Sequence, residues 1–106
     1  TNGVNYIVAK EGDTFESLAE IFCISARNLR KFNDLKGKAQ PVRGEQIYID
    51  RKQKRWEGNA RHHIVTEGET VASVAQSYAL REKSLRKLNR LKAGAALRTG
   101  QTLRIR

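Results

Sequence analysis

One cysteine, one proline, one tryptophan and no methionine occur among the 106 residues. With Cys23 alone, no disulfide forms within the chain, so nothing covalent staples it. No apolar run approaches the ~20 residues of a membrane span. Neither a phosphate-cradling loop nor a zinc-ligand spacing occurs. Acidic residues are scarce in one half only. Residues 1–50 balance seven Lys/Arg against seven Asp/Glu, whereas residues 51–106 hold fourteen against four, so the whole net charge of +10 lies there. Such asymmetry either suits an anionic partner or simply keeps a small domain in solution. Aromatics are scarce in the same half. Trp56 and Tyr78 are its only ones, which leaves little to stack nucleic-acid bases and argues against a specific nucleic-acid role.

What the chain has is a repeat. Residues 11–50 lie over residues 67–106 at a constant offset of 56, with 14 of 40 positions identical. Among them are Gly12/Gly68, Thr14/Thr70, the run Leu29–Arg30–Lys31 over Leu85–Arg86–Lys87, Asn33/Asn89 and Gly44/Gly100. Most other positions exchange like for like, as in Phe22/Tyr78 and Ile47/Leu103. A copied unit places function in that unit and its duplication. The Ile7–Val8 and Ile64–Val65 pairs match only at an offset of 57, which predicts one extra residue, a bulge, near Ala9–Lys10 of the first copy.

Each copy is near the size at which one core becomes marginal, so short elements and loops are expected. Residues 4–9 are rich in β-formers and read as a strand. A Gly12–Asp13–Thr14 turn follows, with Asp13 as the expected helix cap and Glu16 completing a box. Phe15, Leu18, Ala19 and Phe22 then recur at the spacing of one buried helical face, and Cys23 reads as a small buried thiol. Ser25 is the expected cap of a second helix with Leu29 and Phe32 inward. Asn33 ends it as a residue tolerant of left-handed geometry. A loop holding Pro41 leads to a strand over residues 46–50. The second copy repeats this order, with strands at 62–66 and 102–106, stripes Val71/Val74/Ala75/Tyr78 and Leu85/Leu88, and Arg81 where Ser25 caps the first. The expected fold is α+β, two tandem βααβ units, each with two helices packed on a two-stranded antiparallel sheet. The boundaries are residues 4–50 for the first repeat, 51–61 for a basic linker and 62–106 for the second. Five of the eleven linker residues are basic. Trp56 within it reads as laid against a domain surface, or alternatively as a ligand platform.

Catalysis is disfavoured. Glycoside hydrolysis needs two carboxylates across a cleft. Asp13 with Glu16, and Glu67 with Glu69, are better explained as acids complementing a helix N-terminus. His62 and His63 point to opposite faces of a strand, so they do not share a metal. The expected reading is no catalytic residue, no metal and no cofactor.

A short apolar strand, Gly–acid–Thr, an amphipathic helix, Leu-x-x-x-Asn (Leu29 to Asn33, Leu85 to Asn89), a loop and Gly-x-x-Ile/Leu-x-Ile (Gly44 to Ile49, Gly100 to Ile105) follow one another twice. In that order the string resembles the LysM module, over nearly the whole chain. The resemblance implies the same βααβ fold and binding of N-acetylglucosamine-containing glycans, peptidoglycan or chitin-like. It also implies the wall-binding region of a bacterial glucosaminidase- or muramidase-type hydrolase, in the bacterial cell envelope, with catalysis in a separate domain. The abrupt start at Thr1 suits a piece of a longer protein. Carried over by motif, a shallow groove in the first unit would use Gly12, Asp13, Thr14 and Phe15 against Leu35, Lys36, Gln40, Pro41 and Val42. In the second it would use Gly68, Glu69, Thr70 and Val71 against Leu91, Lys92, Ala95, Ala96 and Leu97. An acetamido sugar suits such a groove, with backbone partners for its amide and a small apolar recess for its methyl. The competing readings are a basic module attracted through residues 51–106 to anionic polymers or surfaces (nucleic acid, acidic glycan, lipid), and a protein-interaction spacer.

Overall fold

A computed structural model describes residues 1–106. Two compact units, residues 3–52 and 53–106, each carry one copy of the repeat. In unit 1, β1 (Tyr6–Val8), α1 (Phe15–Phe22), α2 (Ala26–Phe32) and β2 (Gln46–Tyr48) follow in order. In unit 2 the order is β3 (His62–Ile64), α3 (Val71–Ser77), α4 (Glu82–Leu88) and β4 (Thr102–Arg104). The outer strands of each unit pair antiparallel, and its two helices pack together. This is the βααβ arrangement twice. No helix is long and apolar enough to cross a membrane.

The strand register corrects one expectation from the sequence. Ile7 faces Ile47 and His63 faces Leu103, so the strands correspond at the same offset of 56 as the rest. Ala9 and Val65 are the buried pair, while Val8 and Ile64 are both more than half exposed. The bonds closing each sheet agree: Gly44 N–H donates to Ala9 O, and Gly100 N–H to Val65 O. The first copy therefore has no extra residue and no bulge at Lys10. Two adjacent β-branched residues looked alike one step out of phase, and a one-residue slip would turn every side chain to the wrong face.

The helix starts are set by threonine. Thr14, not Asp13, is the N-cap of α1: its Oγ1 accepts from Ser17 N, and Ser17 Oγ accepts from Thr14 N. Thr70 and Ser73 form the same reciprocal box at α3. Such a box satisfies two amides that the first helical turn leaves without intrahelical partners. Ser25 caps α2 through Asn28 N, while Arg81 stands at the N-cap of α4 without a side-chain capping bond.

Helix ends differ from expectation too. Cys23 ends α1 in left-handed geometry, φ 55°, and is exposed. The helix stops at Phe22, so the chain turns away before Cys23 reaches the buried face. Asn33 keeps a negative φ of −105°, and the left-handed residue is Asp34. Asn33 has another task. Its Nδ2 donates to Leu29 O and Tyr48 O, and its Oδ1 accepts from Tyr48 N at 2.7 Å. Asn89 repeats the clamp on Leu85 O and on both backbone groups of Arg104. One carboxamide thus ties the second helix of each unit to its closing strand, satisfying groups the short sheet leaves over.

Each unit has its own core. Phe15, Leu18, Leu29, Ile47 and Ala9 form the first, with Phe22, Phe32 and Ile49 partly buried against it. The second is aliphatic, built from Val65, Val71, Val74, Ala75, Leu80, Leu85, Leu103 and Ile105. Trp56 and Tyr78 pack against it edge to face, with centroids 5.0 Å apart. A Cβ at Gly58 would collide with that indole. Other residues between the repeats are also engaged. Lys52 is 1% exposed, paired with Asp34 and placed over the Tyr48 ring. Gln53 pairs with Leu80 as an isolated bridge, and Trp56 N–H donates to Ile105 O.

Candidate functional site

The loop before the first helix is built alike in both units. Asp13 N–H donates to Lys10 O, closing a turn in which Gly12 takes φ +86°. Glu69 N–H donates to Thr66 O, with Gly68 at +81°. L-residues rarely adopt that geometry, so glycine is required there. The acid closes the turn from its side chain, Asp13 Oδ2 accepting from Lys10 N at 2.8 Å and Glu69 Oε1 from Thr66 N at 2.7 Å. All three Gly–acid–Thr residues therefore shape the loop: one bends it, one closes it and one caps the helix. Phe15 and Val71 are buried in the cores, so their side chains are withdrawn from the surface.

Across from this loop in unit 1 lies the segment joining α2 to β2. Gln40 reaches over from it. Its Oε1 accepts from Phe15 N at 2.9 Å, and its Nε2 donates to Glu16 Oε1 at 2.7 Å. Arg30 completes the bridge, donating from Nη2 to Glu16 Oε2 at 2.7 Å and from Nε to Ala39 O at 2.8 Å. Its guanidinium also lies 5.2 Å from the Phe15 ring centroid. The Gln40 and Arg30 hydrogen bonds hold the Glu16 carboxyl below its ordinary value of 4.5. Of the other residues expected here, Leu35 and Val42 are exposed, Val42 at 63%. Pro41 is half-buried, and Lys36 is exposed with no acidic partner.

Unit 2 keeps the arginine and loses the rest. Ala72 and Ala96 stand where Glu16 and Gln40 stand in unit 1. Arg86 Nε, the counterpart of the atom gripping Ala39, is buried with no hydrogen-bond partner and 4.0 Å from Glu82. Leu91 and Leu97 are partly buried against the core, Ala95 is half-buried, and Lys92 and Ala96 are exposed.

On the other side of the loop, unit 2 has contacts that unit 1 lacks. His63 Nε2 stands 2.8 Å from Glu69 Oε1, and His63 Nδ1 stands 2.8 Å from Tyr78 Oη. With its proton on Nε2, the imidazole donates to Glu69 and accepts from Tyr78. The Thr66 amide first, and His63 second, hold the Glu69 carboxyl below its ordinary value. Burial, and then the Glu69 charge, raise the Tyr78 hydroxyl above its ordinary 10.0. Three of the acids considered for catalysis are engaged locally, Glu69 with the Thr66 amide and His63. Asp13 bonds the Lys10 amide and Glu16 bonds Gln40 and Arg30.

The loop before the first helix is thus fixed by the same devices in both βααβ units, and the family profile of the LysM domain matches residues 7–50 and 63–106. The chain belongs to the LysM family. LysM domains are binding modules for peptidoglycan and chitin, not catalysts. The chain is also similar to an autolysin of Enterococcus faecalis, 29% identical over 104 residues, covering 91% of this chain and 14% of that protein. Among solved structures, it matches the spore cortex-lytic enzyme SleL of Bacillus cereus with a TM-score of 0.43 and 23% identity, over 97% of this chain and 22% of that one. The SleL structure of Bacillus megaterium matches with a TM-score of 0.41 and 24% identity, over 96% and 22%. This LysM pair therefore spans a small part of each protein it resembles. Their activities belong to those proteins as wholes.

Proposed function

We propose that this tandem LysM chain is a non-catalytic module that recognises N-acetylglucosamine-containing glycans, chiefly peptidoglycan, and holds a larger wall-active protein on the bacterial cell wall. The observation that carries the reading is the LysM match to both units. The groove residues are those named from the motif, with the refinement that Phe15 and Val71 contribute backbone only. Similarity to an autolysin supports a cell-wall setting and a hydrolase domain elsewhere in the parent protein. Tethering two weak sites raises avidity on a polymer by about 10²–10⁴ without new contacts when both sites are free to engage. Pull-down by purified insoluble peptidoglycan at low and high salt tests the proposal. Retention that survives high salt supports glycan recognition.

A specific observation also favours an electrostatic contribution. Lys83, Lys87, Arg90, Lys92, Arg98, Arg104 and Arg106 are all exposed on unit 2, and residues 1–50 carry no net charge to match. Anionic envelope polymers would be drawn to that half non-specifically, and the attraction falls once the Debye length shrinks below about 10 Å. Retention lost entirely at high salt would make this the whole function.

A further inference from the structure

The two grooves share a fold but not a polar lining, and the difference centres on one side chain. A glutamine carboxamide carries the same groups as an acetamido substituent, one C=O acceptor and an N–H donor on the same carbon. In unit 1 that carboxamide, on an exposed residue, reaches from the segment joining α2 to β2 to the start of α1, its C=O accepting from the Phe15 amide and its N–H donating to Glu16. Arg30 holds Glu16 in place and ties the facing loop through Ala39 O. In unit 2, Ala96 brings no such acceptor to Val71, Ala72 brings no carboxylate, and the buried Arg86 Nε grips no carbonyl. We infer that Gln40 is an internal stand-in for the sugar acetamido group, which keeps groove 1 self-occupied and leaves groove 2 as the principal glycan seat. This rests on the glycan reading above and adds to it which unit binds and which residue decides.

The physical case is one of competition. A ligand entering groove 1 must displace two hydrogen bonds that the chain makes to itself, one of them to a charged group and so among the stronger kind. In groove 2 nothing of the kind has to be broken. The Arg30–Glu16 pair also fixes the facing loop of unit 1 beforehand, whereas the same loop of unit 2 lacks that tie. Gln40 is therefore a specificity-determining residue that acts by being present, and Ala96 by being small.

The test is an amide-resolved NMR titration of the full chain with N-acetylchitotetraose. In the native protein, residues 68–71 and 91–97 should shift at ligand concentrations that leave residues 12–15 and 35–42 unmoved. Gln40→Ala should bring unit 1 into the binding range, tightening it by about tenfold or more. The reverse exchange, Ala96→Gln with Ala72→Glu, should weaken unit 2 by a similar factor. It keeps the proposal testable if Gln40→Ala loosens unit 1. Equal saturation of both grooves in the native chain, or no change in either groove on exchanging these residues, overturns the inference while leaving glycan binding intact. Absence of any shift in native and variant chains alike overturns the glycan reading and this inference with it.

Discussion

Unit 1 and unit 2 have one topology and one set of loop devices, yet they distribute polar and apolar residues differently. Unit 1 fills its core with phenylalanine and uses Glu16, Arg30 and Gln40 to bridge the start of α1 to the segment joining α2 to β2. Unit 2 fills its core with branched aliphatics, adds Trp56 and Tyr78 at the side, and places its polar contacts behind the loop, on His63 and Glu69. The difference teaches that the Gly–acid–Thr motif, the threonine cap and the asparagine clamp specify the scaffold. The groove lining varies independently of them.

The largest expected effect comes from the cores. Phe15 is fully buried, and truncating a buried phenylalanine costs roughly 3–5 kcal/mol. A unit this small has little more than that to lose. Phe15→Ala should collapse the amide dispersion of residues 4–50 while residues 62–106 keep theirs. Loss of both sets at one denaturant midpoint would break the picture of two separate cores.

The asparagine clamp sharpens the comparison at the next level. The same three bonds are buried at Asn33, 6% exposed, but are partly open to solvent at Asn89. Stripping a partner from a buried polar group costs about 1–3 kcal/mol, against roughly 0.5–1.5 kcal/mol for an ordinary hydrogen bond. Asn33→Ala should therefore destabilise its unit more than Asn89→Ala does, as read from unit-resolved hydrogen exchange. Equal losses would mean that burial does not set the strength of the clamp.

The smallest effect concerns pH. Glu16 and Glu69 both titrate below the ordinary carboxylate value of 4.5. Each contributes stability that is present above that value and lost as pH falls through the folded one. Both units should weaken in acid, and Glu16→Gln should flatten that acid slope in unit 1 only. Alkali adds a test in unit 2. Tyr78 titrates above its ordinary 10.0, so its contribution is present below that pH and lost as pH rises through the folded value. Its counterpart Phe22 does not titrate. Unit 2 should weaken at high pH, and Tyr78→Phe should reduce that loss. An alkaline loss of unit 2 left unchanged by Tyr78→Phe would assign it to something other than this tyrosine.

The scaffold was legible in the sequence because it is written locally. The stripes beginning at Phe15 and Val71, the turn glycines and the Ser25 cap all lie within a few residues of what they specify. Errors arose where a local signal had two readings. The Ile7–Val8 pair matched its copy one step out of phase, Asp13 looked like the cap that Thr14 provides, and Cys23 sat just past the end of the helix that would have buried it. The bridge in unit 1 had no local signal, since Gln40 lies 24 residues from Glu16. Its trace was in the repeat alignment. Alanine stands at both the glutamate and the glutamine positions in the second copy while Arg30 is matched by Arg86, so the two copies differ at both partners of the arginine.

Calorimetric titration of the full chain with N-acetylated chitin oligomers and with their deacetylated forms, at high salt, bears most directly on the claim that these grooves read an acetamido sugar. The account predicts saturable heat with the acetylated oligomers and none with the deacetylated ones. Equal heats from both, or heat from neither, would contradict it.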